Sequence, residues 1–389
     1  MQKYNFDETV DRIATNSIKW TVQSGEFIPL WVADMDFAVA DEIKEALLKR
    51  ASFGAYGYPK TPDEFYEAEI LWWKKRHDTN ISREWIQRVT GVIPSLSCII
   101  KTFTKPGESV IIQTPVYNHF HIAIENNGAN ILKNELILEN GSYVVDYENF
   151  EELAKREDTK LFILCNPHNP VGKCFTRIEL EKLGDICLKH NVLVVSDEIH
   201  RDIVYTGHNY TPYLSIKEAF ANNSITCTAP SKTFNLAGLK AAAMIIPNKE
   251  IFKQVQKAVE QNEVGMINVF GIEGFIAAYQ YGDEWLEQLL VYLEKNIKFL
   301  IEYFKKELPL VKVHKPEATY LVWVDISAYY KEVESLQNDL FEKSRVIVND
   351  GFNYSENSKG FLRINVATSR VILEEGLKRI VSYFKNNNL

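Results

Sequence analysis

Residues 161–200 read LFILCNPHNPVGKCFTRIELEKLGDICLKHNVLVVSDEIH, and the alternation within them decides the fold. An apolar run from Leu161 to Cys165 breaks at a turn holding two prolines, and a second run from Val192 to Ser196 breaks at Asp197-Glu198. Between the runs, Thr176 followed three residues later by Glu179 is a capping-box signature. Ile178, Leu180, Leu183, Ile186 and Cys187 can share one face of the helix it starts. Two short apolar strands joined by an amphipathic helix form a βαβ unit, whose parallel strands are buried on both faces.

The same rhythm extends outward. Ser109 to Gln113, Ile225 to Ala229 and Ala241 to Ile246 are further apolar runs ending in turn residues, which predicts an α/β fold with a mostly parallel sheet flanked by helices. Beyond Gly282 the texture changes to a long amphipathic helix over Glu284 to Lys305, strands over Tyr320 to Asp325 and Phe361 to Val366, and a last helix over Val371 to Phe384. That pattern predicts a smaller α+β domain. The expected division is an N-terminal segment, 1–45, packing with the small domain; a large domain, 46–285; and a small C-terminal domain, 286–389. No Gly/Ser-rich or Pro-rich linker separates them, and no internal repeat is visible.

With 389 residues, 46% of them hydrophobic, the chain can bury a core large enough for two domains. Its net charge of -8 comes from acids and bases mixed along the length, without the Lys/Arg block that tracks a phosphate backbone, so nucleic acid is not an expected partner. The opening residues MQKYNFDETVDR lack a basic stretch leading into an apolar one, and no apolar run reaches membrane length, so a soluble, cytoplasmic protein is expected. Cys98, Cys165, Cys174, Cys187 and Cys227 are odd in number and without a CxxC pair, which fits reduced buried thiols better than disulfides or zinc.

In an open parallel sheet ligands bind at the carboxyl ends of the strands, so the polar residues just after each run carry the information. After Cys165 the turn Asn166-Pro167-His168-Asn169-Pro170-Val171-Gly172 presents amide side chains. After Val195 come Ser196, Asp197, Glu198 and His200, and an Asp ending a buried strand must be paired or change its pKa. After Ala229 comes Pro230-Ser231-Lys232-Thr233-Phe234-Asn235, where desolvation would favour a neutral amine able to attack an aldehyde. Thr90 to Ser97 is a strand end running into a helix, a natural anion site, although no Gly-x4-Gly-Lys-Ser/Thr loop exists in the chain. Singly, a strand-end Lys is ordinary surface chemistry and a strand-end Asp a turn or cap. Their ordered recurrence along one sheet edge is what points to a site.

The run Ser231 to Leu239, with Asn169 in NPHNPVG and Asp197 in SDEIH upstream, resembles the fold-type I pyridoxal phosphate enzymes of the aminotransferase class I/II superfamily. WVADMDF (Trp31 to Phe37), GYP (Gly57 to Pro59), TPVY (Thr114 to Tyr117), CNPHNPVGK (Cys165 to Lys173) and SDEIHRD (Ser196 to Asp202) look like its bacterial cystathionine β-lyase branch, which includes cysteine C-S lyases and a maltose-regulon modulator. The resemblance runs from Trp31 to Arg363 and implies a seven-stranded sheet in the large domain. It also implies roles. Lys232 would be the Schiff-base lysine and proton shuttle, Asp197 the carboxylate on the pyridine nitrogen, and Asn169 a donor to the phenolic oxygen. Tyr117 would stack on the ring, while the Ser95 and Leu96 amides, the Ser231 hydroxyl and the Lys240 cation would receive the phosphate. Tyr58 would reach the phosphate of a neighbouring subunit, making a homodimer with a shared active site.

On the substrate side, Arg363 stands in an otherwise apolar strand, where it is costly unless it meets an anion, and the substrate α-carboxylate is that anion. Ala33 and Asn169 are assigned beside it by the resemblance. Two departures matter. His200 replaces the Tyr that aminotransferases usually place against the phenolic oxygen, which favours elimination, and Asn118-His119-Phe120-His121 follows TPVY, where the branch more often has prolines or aromatics. The expected activity is α,β-elimination from cystathionine or cysteine-type substrates to pyruvate, ammonia and a thiol. Transamination, a regulator that contacts a transcription factor, and a metal hydrolase built on His119, His121, Asp197 and His200 are the alternatives; the last leaves Lys232 and the Asn169 turn without a role.

Overall fold

The computed structural model describes residues 3–139, 141–330 and 335–386. The apolar runs become strands of one sheet: β1 (Ile86–Val89), β2 (Ser109–Thr114), β3 (Asn130–Glu135), β4 (Thr159–Cys165), β5 (Leu193–Asp197), β6 (Ser224–Thr228) and β7 (Ala242–Ile245). Their order is β1-β7-β6-β5-β4-β2-β3, seven strands as expected. Strands β2 to β6 run parallel, and β7 lies antiparallel to both β6 and β1.

Side-chain alternation explains why these runs are apolar throughout. Leu161, Ile163 and Cys165 of β4 enter one hydrophobic cluster with Leu193 and Val195 of β5, whereas Phe162 and Leu164 enter a second cluster with Val194. Both faces of the sheet are therefore covered, and most positions before the strand ends are apolar, with Thr226 of β6 a buried exception.

The helix Arg177–Lys189 begins with the full Thr176–Glu179 capping box and buries Leu180, Leu183 and Cys187. Ile178 departs from the expected face: it is 65% exposed, because two residues of helix turn it about 200° from Leu180.

A second, wholly antiparallel sheet contains β8 (Lys312–His314), β9 (Leu321–Asp325), β10 (Asn349–Asp350) and β11 (Phe361–Asn365), in the order β8-β9-β11-β10. The helices Asp283–Glu307 and Arg370–Asn386 pack against each other and share one apolar cluster with β9 and β11. Near the N-terminus Ile28–Pro29 pairs in parallel with Val346–Ile347, and Asn365 N–H donates to the Leu30 carbonyl at 2.9 Å. These contacts deliver the next residues, Trp31 to Phe37, to the carboxyl edge of the seven-stranded sheet.

Where the two sheets meet, Gly172 adopts φ +73° and its carbonyl accepts the N–H groups of Glu317 and Ala318. A Cβ at Gly172 would stand 2.6 Å from Pro316, so only glycine allows this approach.

Candidate active site

Three neighbouring parallel strands end together and carry the centre of the site. Asp197 is the last residue of β5, in register with Cys165 on one side and Cys227 on the other. Strand β6 turns at Ala229 into a four-residue helix, Pro230–Thr233, started by proline and bearing Lys232. Asn169 stands in the turn after β4. These groups open into a cavity of about 470 Å³ also lined by Ala33, Tyr117, His200, Ser231 and Lys240.

The Lys232 ammonium is disfavoured by its surroundings. Burial, with Arg363 and Lys240 nearby, lowers its pKa to about 8 against the opposing pull of Asp34 and Asp197. Its Nζ donates to the Ala33 carbonyl at 2.6 Å. Asp197 shifts the other way: burial raises its pKa to about 7, although the Ile199 N–H at 3.2 Å and the nearby Lys232 support the charge. The flanking thiols do not help, since burial pushes Cys165 and Cys227 up as well and neither supplies a charge. Burial, with Lys232 and Arg363, depresses His200 to about 3, so this imidazole is neutral at neutral pH; its Nδ1 is buried without a hydrogen-bond partner.

Arg363, on β11, is buried beside Asn169 and does not itself line the cavity. Its guanidinium donates to Asn169 Oδ1 (3.0 Å), the Trp31 carbonyl (2.8 Å) and Asn349 Oδ1 (3.0 Å), and lies over the Tyr354 ring. All three acceptors are neutral, and Nε is buried without a partner. A buried cation compensated only by dipoles is a receptor for an anion. The contact also takes the acceptor end of the Asn169 amide and leaves its donor end, while the Asn169 carbonyl accepts the Tyr117 N–H at 3.1 Å.

The expected anion contacts need one correction. Ser95 and Leu96 are fully buried and do not line the cavity; the Ser95 N–H and Oγ both bond to the Gly91 carbonyl, at 3.2 and 2.8 Å. The helix starts at Val92, where Pro94, lacking an N–H, fits the first turn. The groups facing the cavity there are Gly91, Val92 and Ile93, whose amides have no acceptor inside the helix. Lys240 lines the opposite wall with a left-handed backbone, φ +54°. Tyr58 is not part of the cavity in a single chain, where it is 94% exposed. His119 rests against the Tyr117 ring, with centroids 5.1 Å apart, and among the described residues no three His, Cys, Asp or Glu side chains are grouped to hold a metal.

Three residues without an assigned role hold the 31–37 segment in place. Asn235 exchanges hydrogen bonds with Met35 and also donates to the Phe37 carbonyl. Asn365 donates to the Val32 and Asp34 carbonyls, and Tyr320 donates to the Ala33 carbonyl at 3.0 Å. Asn235 follows Lys232 by three residues and Asn365 follows Arg363 by two, so proximity to those residues was the available signal.

Comparison with known proteins agrees with this geometry. The family model for aminotransferase class I and II matches residues 26–380. Cystathionine beta-lyase PatB of Bacillus subtilis is 41% identical over 382 residues, covering 97% of this chain and 98% of that protein. The crystal structure of cystalysin from Treponema denticola, which contains a pyridoxal 5'-phosphate cofactor, superposes with a TM-score of 0.96 at 32% identity, over 99% of this chain and 100% of that one. The PLP-bound C-S lyase from Staphylococcus hominis superposes with a TM-score of 0.92 at 32% identity, over 98% of each chain.

Proposed function

Since the chain belongs to the aminotransferase class I and II family, we propose that it is a pyridoxal phosphate-dependent carbon–sulfur β-lyase acting on cystathionine- or cysteine-type amino acids. The observation that carries this reading is an amine, Lys232, kept close to neutrality in a cavity it shares with the raised Asp197 acid, with Arg363, an arginine lacking an acidic partner, bonded to the cavity-lining Asn169. The donor set fits the cofactor. The open valences are an amine for the aldehyde, an acid for the ring nitrogen, and first-turn amides with Ser231 and Lys240 for the phosphate. When bound, pyridoxal phosphate supplies an aldehyde that captures amines and a ring that withdraws electrons from the substrate Cα.

The chain's own residues do the rest. Asp197, at the end of β5, would hold the ring nitrogen and its proton and so keep a bound ring electron-poor. Arg363 holds the substrate α-carboxylate in the place its unpaired Nε leaves open, and the Asn169 amide it orients donates toward the phenolic oxygen. His200, being neutral, contributes a hydrogen bond and no charge. Tyr117 supports the ring face. Lys232 Nζ, steered by the Ala33 carbonyl, would be the base that takes up the Cα proton. The electron pair left on Cα then expels the sulfur on Cβ as a thiolate, and water converts the three-carbon remainder into pyruvate and ammonia.

The position of Tyr58, solvent-exposed in one chain, supports a homodimer in which it completes the phosphate site of the other subunit. Five free, buried cysteines support a reducing, cytoplasmic location, and among the described residues no helix is long and apolar enough to cross a membrane.

Transamination would begin with the same residues but would require a keto acid. His200 and the 41% identity to a cystathionine beta-lyase favour elimination. The test supplies cystathionine or S-methylcysteine without any keto acid and measures pyruvate and free thiol. Equal, sustained release of both supports the lyase; turnover that stops without a keto acid supports the aminotransferase.

A further inference from the structure

Strand β5 ends at Asp197, the loop after it carries His200, and the short helix after β6 carries Lys232. Their relative placement decides whether the amine meets its partners. One side-chain bond joins them on the side away from the cavity: Thr233 Oγ1 donates to Asp202 Oδ2 at 2.8 Å. The Asp202 carboxylate is itself fixed, since Trp72 Nε1 donates to Oδ1 at 3.0 Å and His77 Nε2 lies 2.9 Å from the same oxygen. Thr233 and Asp202 are both buried and neither lines the cavity. A helix of four residues cannot fix its own orientation, so side-chain anchors must do it.

We propose that Asp202 is a positioning residue for the reaction, acting through Thr233 to set the Lys232 amine against Ala33 and Asp197. The idea rests on the reading of Lys232 given above. It explains why an acid that touches no cavity atom is buried in that loop. Burial opposes its charge, but His77, Arg201 and Thr233 outweigh that cost and hold its pKa well below the usual carboxylate range, so it stays a strong acceptor.

Asp202 variants risk unfolding by leaving the buried Trp72 Nε1 and His77 without their acceptor, so the test uses Thr233→Val, which keeps shape and removes the hydroxyl, and Thr233→Ser, which restores it. Three properties are compared with the parent: the pH midpoint of the visible absorbance of the cofactor-loaded protein, turnover, and the rate at which Lys232 is modified by an amine reagent in the cofactor-free protein. Thr233→Val is expected to melt within a few degrees of the parent, to move the absorbance midpoint and the pH dependence of Lys232 modification by about one unit, and to lose about tenfold or more in kcat with a smaller change in KM. Thr233→Ser is expected to recover all three. The proposal is overturned if Thr233→Val matches the parent in midpoint, modification and kcat, or if Thr233→Ser is as impaired as Thr233→Val, since the methyl packing would then be at fault. Failure of the underlying reading would appear separately, as a parent protein whose Lys232 never takes up the cofactor.

Discussion

Trp31 to Phe37 runs between two groups of buried charge that are built in opposite ways. On one side Arg12 and Lys19 meet Asp34 and Asp36: Lys19 Nζ lies 2.8 Å from Asp36, Arg12 lies 2.7 Å from Asp34, and Trp20 Nε1 donates to Asp36 at 2.8 Å. Lys19 is fully buried, yet its charge is answered within the chain. On the other side Asp197, His200 and Arg363 are buried, Lys232 is partly buried, and none is answered: the amine faces a carbonyl, the acid is pushed toward neutrality, the imidazole keeps an unpartnered Nδ1, and the arginine meets only neutral oxygens. Burial alone does not mark a site. The paired cluster is scaffold that fixes the segment, and the open one is where a ligand supplies the missing charges.

That contrast can be broken at several points. The largest effect should come from the open group: Asp197→Asn should lose about 10³-fold or more in turnover while the protein remains folded, as measured by steady-state kinetics beside a melting curve. In the paired group, Asp36→Asn should cost about 3–5 kcal/mol of stability by stranding the Lys19 charge, read as a lower melting temperature, with the cofactor still able to bind. Arg363→Lys keeps the charge but loses the planar fork and should lower kcat/KM about 100-fold, chiefly through KM.

The smallest effect carries the opposite sign. In the cofactor-free protein Asp197 keeps its proton up to about pH 7 when folded but loses it near the ordinary carboxylate value when unfolded. The folded state therefore binds more protons between those values, and this group lowers stability as pH rises through the window. Cofactor-free Asp197→Asn should be more stable than the parent by on the order of 2 kcal/mol at pH 8, with the gap closed near pH 4, in denaturant titrations at the two pH values. A destabilised Asp197→Asn at pH 8 would show that the acid is paired after all, and the contrast with Asp36 would disappear.

The fold was legible wherever residues close in sequence cooperate. The runs ending at Cys165, Ser196 and Ala229 announced, to within one residue, strands that end at Cys165, Asp197 and Thr228, and the Thr176–Glu179 box announced a helix start. Asn169, Asp197 and Lys232 were legible because a parallel sheet gathers strand ends along one edge. What the sequence hid depends on distant partners. Asn235 and Met35 are 200 residues apart, and Thr233 and Asp202 are 31 apart, so neither pairing leaves a periodic trace. The partners of Lys19 were hidden in the same way, since Asp34 and Asp36 follow it by 15 and 17 residues and meet it only when the chain folds back. Ser95 and Leu96 were assigned the anion by the resemblance, whereas the helix starts at Val92 and turns Gly91, Val92 and Ile93 to the cavity.

The most direct test of the central claim is an absorbance spectrum of the purified protein saturated with pyridoxal phosphate, taken before and after borohydride reduction and followed by peptide mapping. A visible band that reduction abolishes, with the cofactor fixed on the peptide containing Lys232, is the predicted result. A colourless protein, or a reduced adduct found on another lysine while Lys232→Ala keeps the parent's turnover, would contradict it.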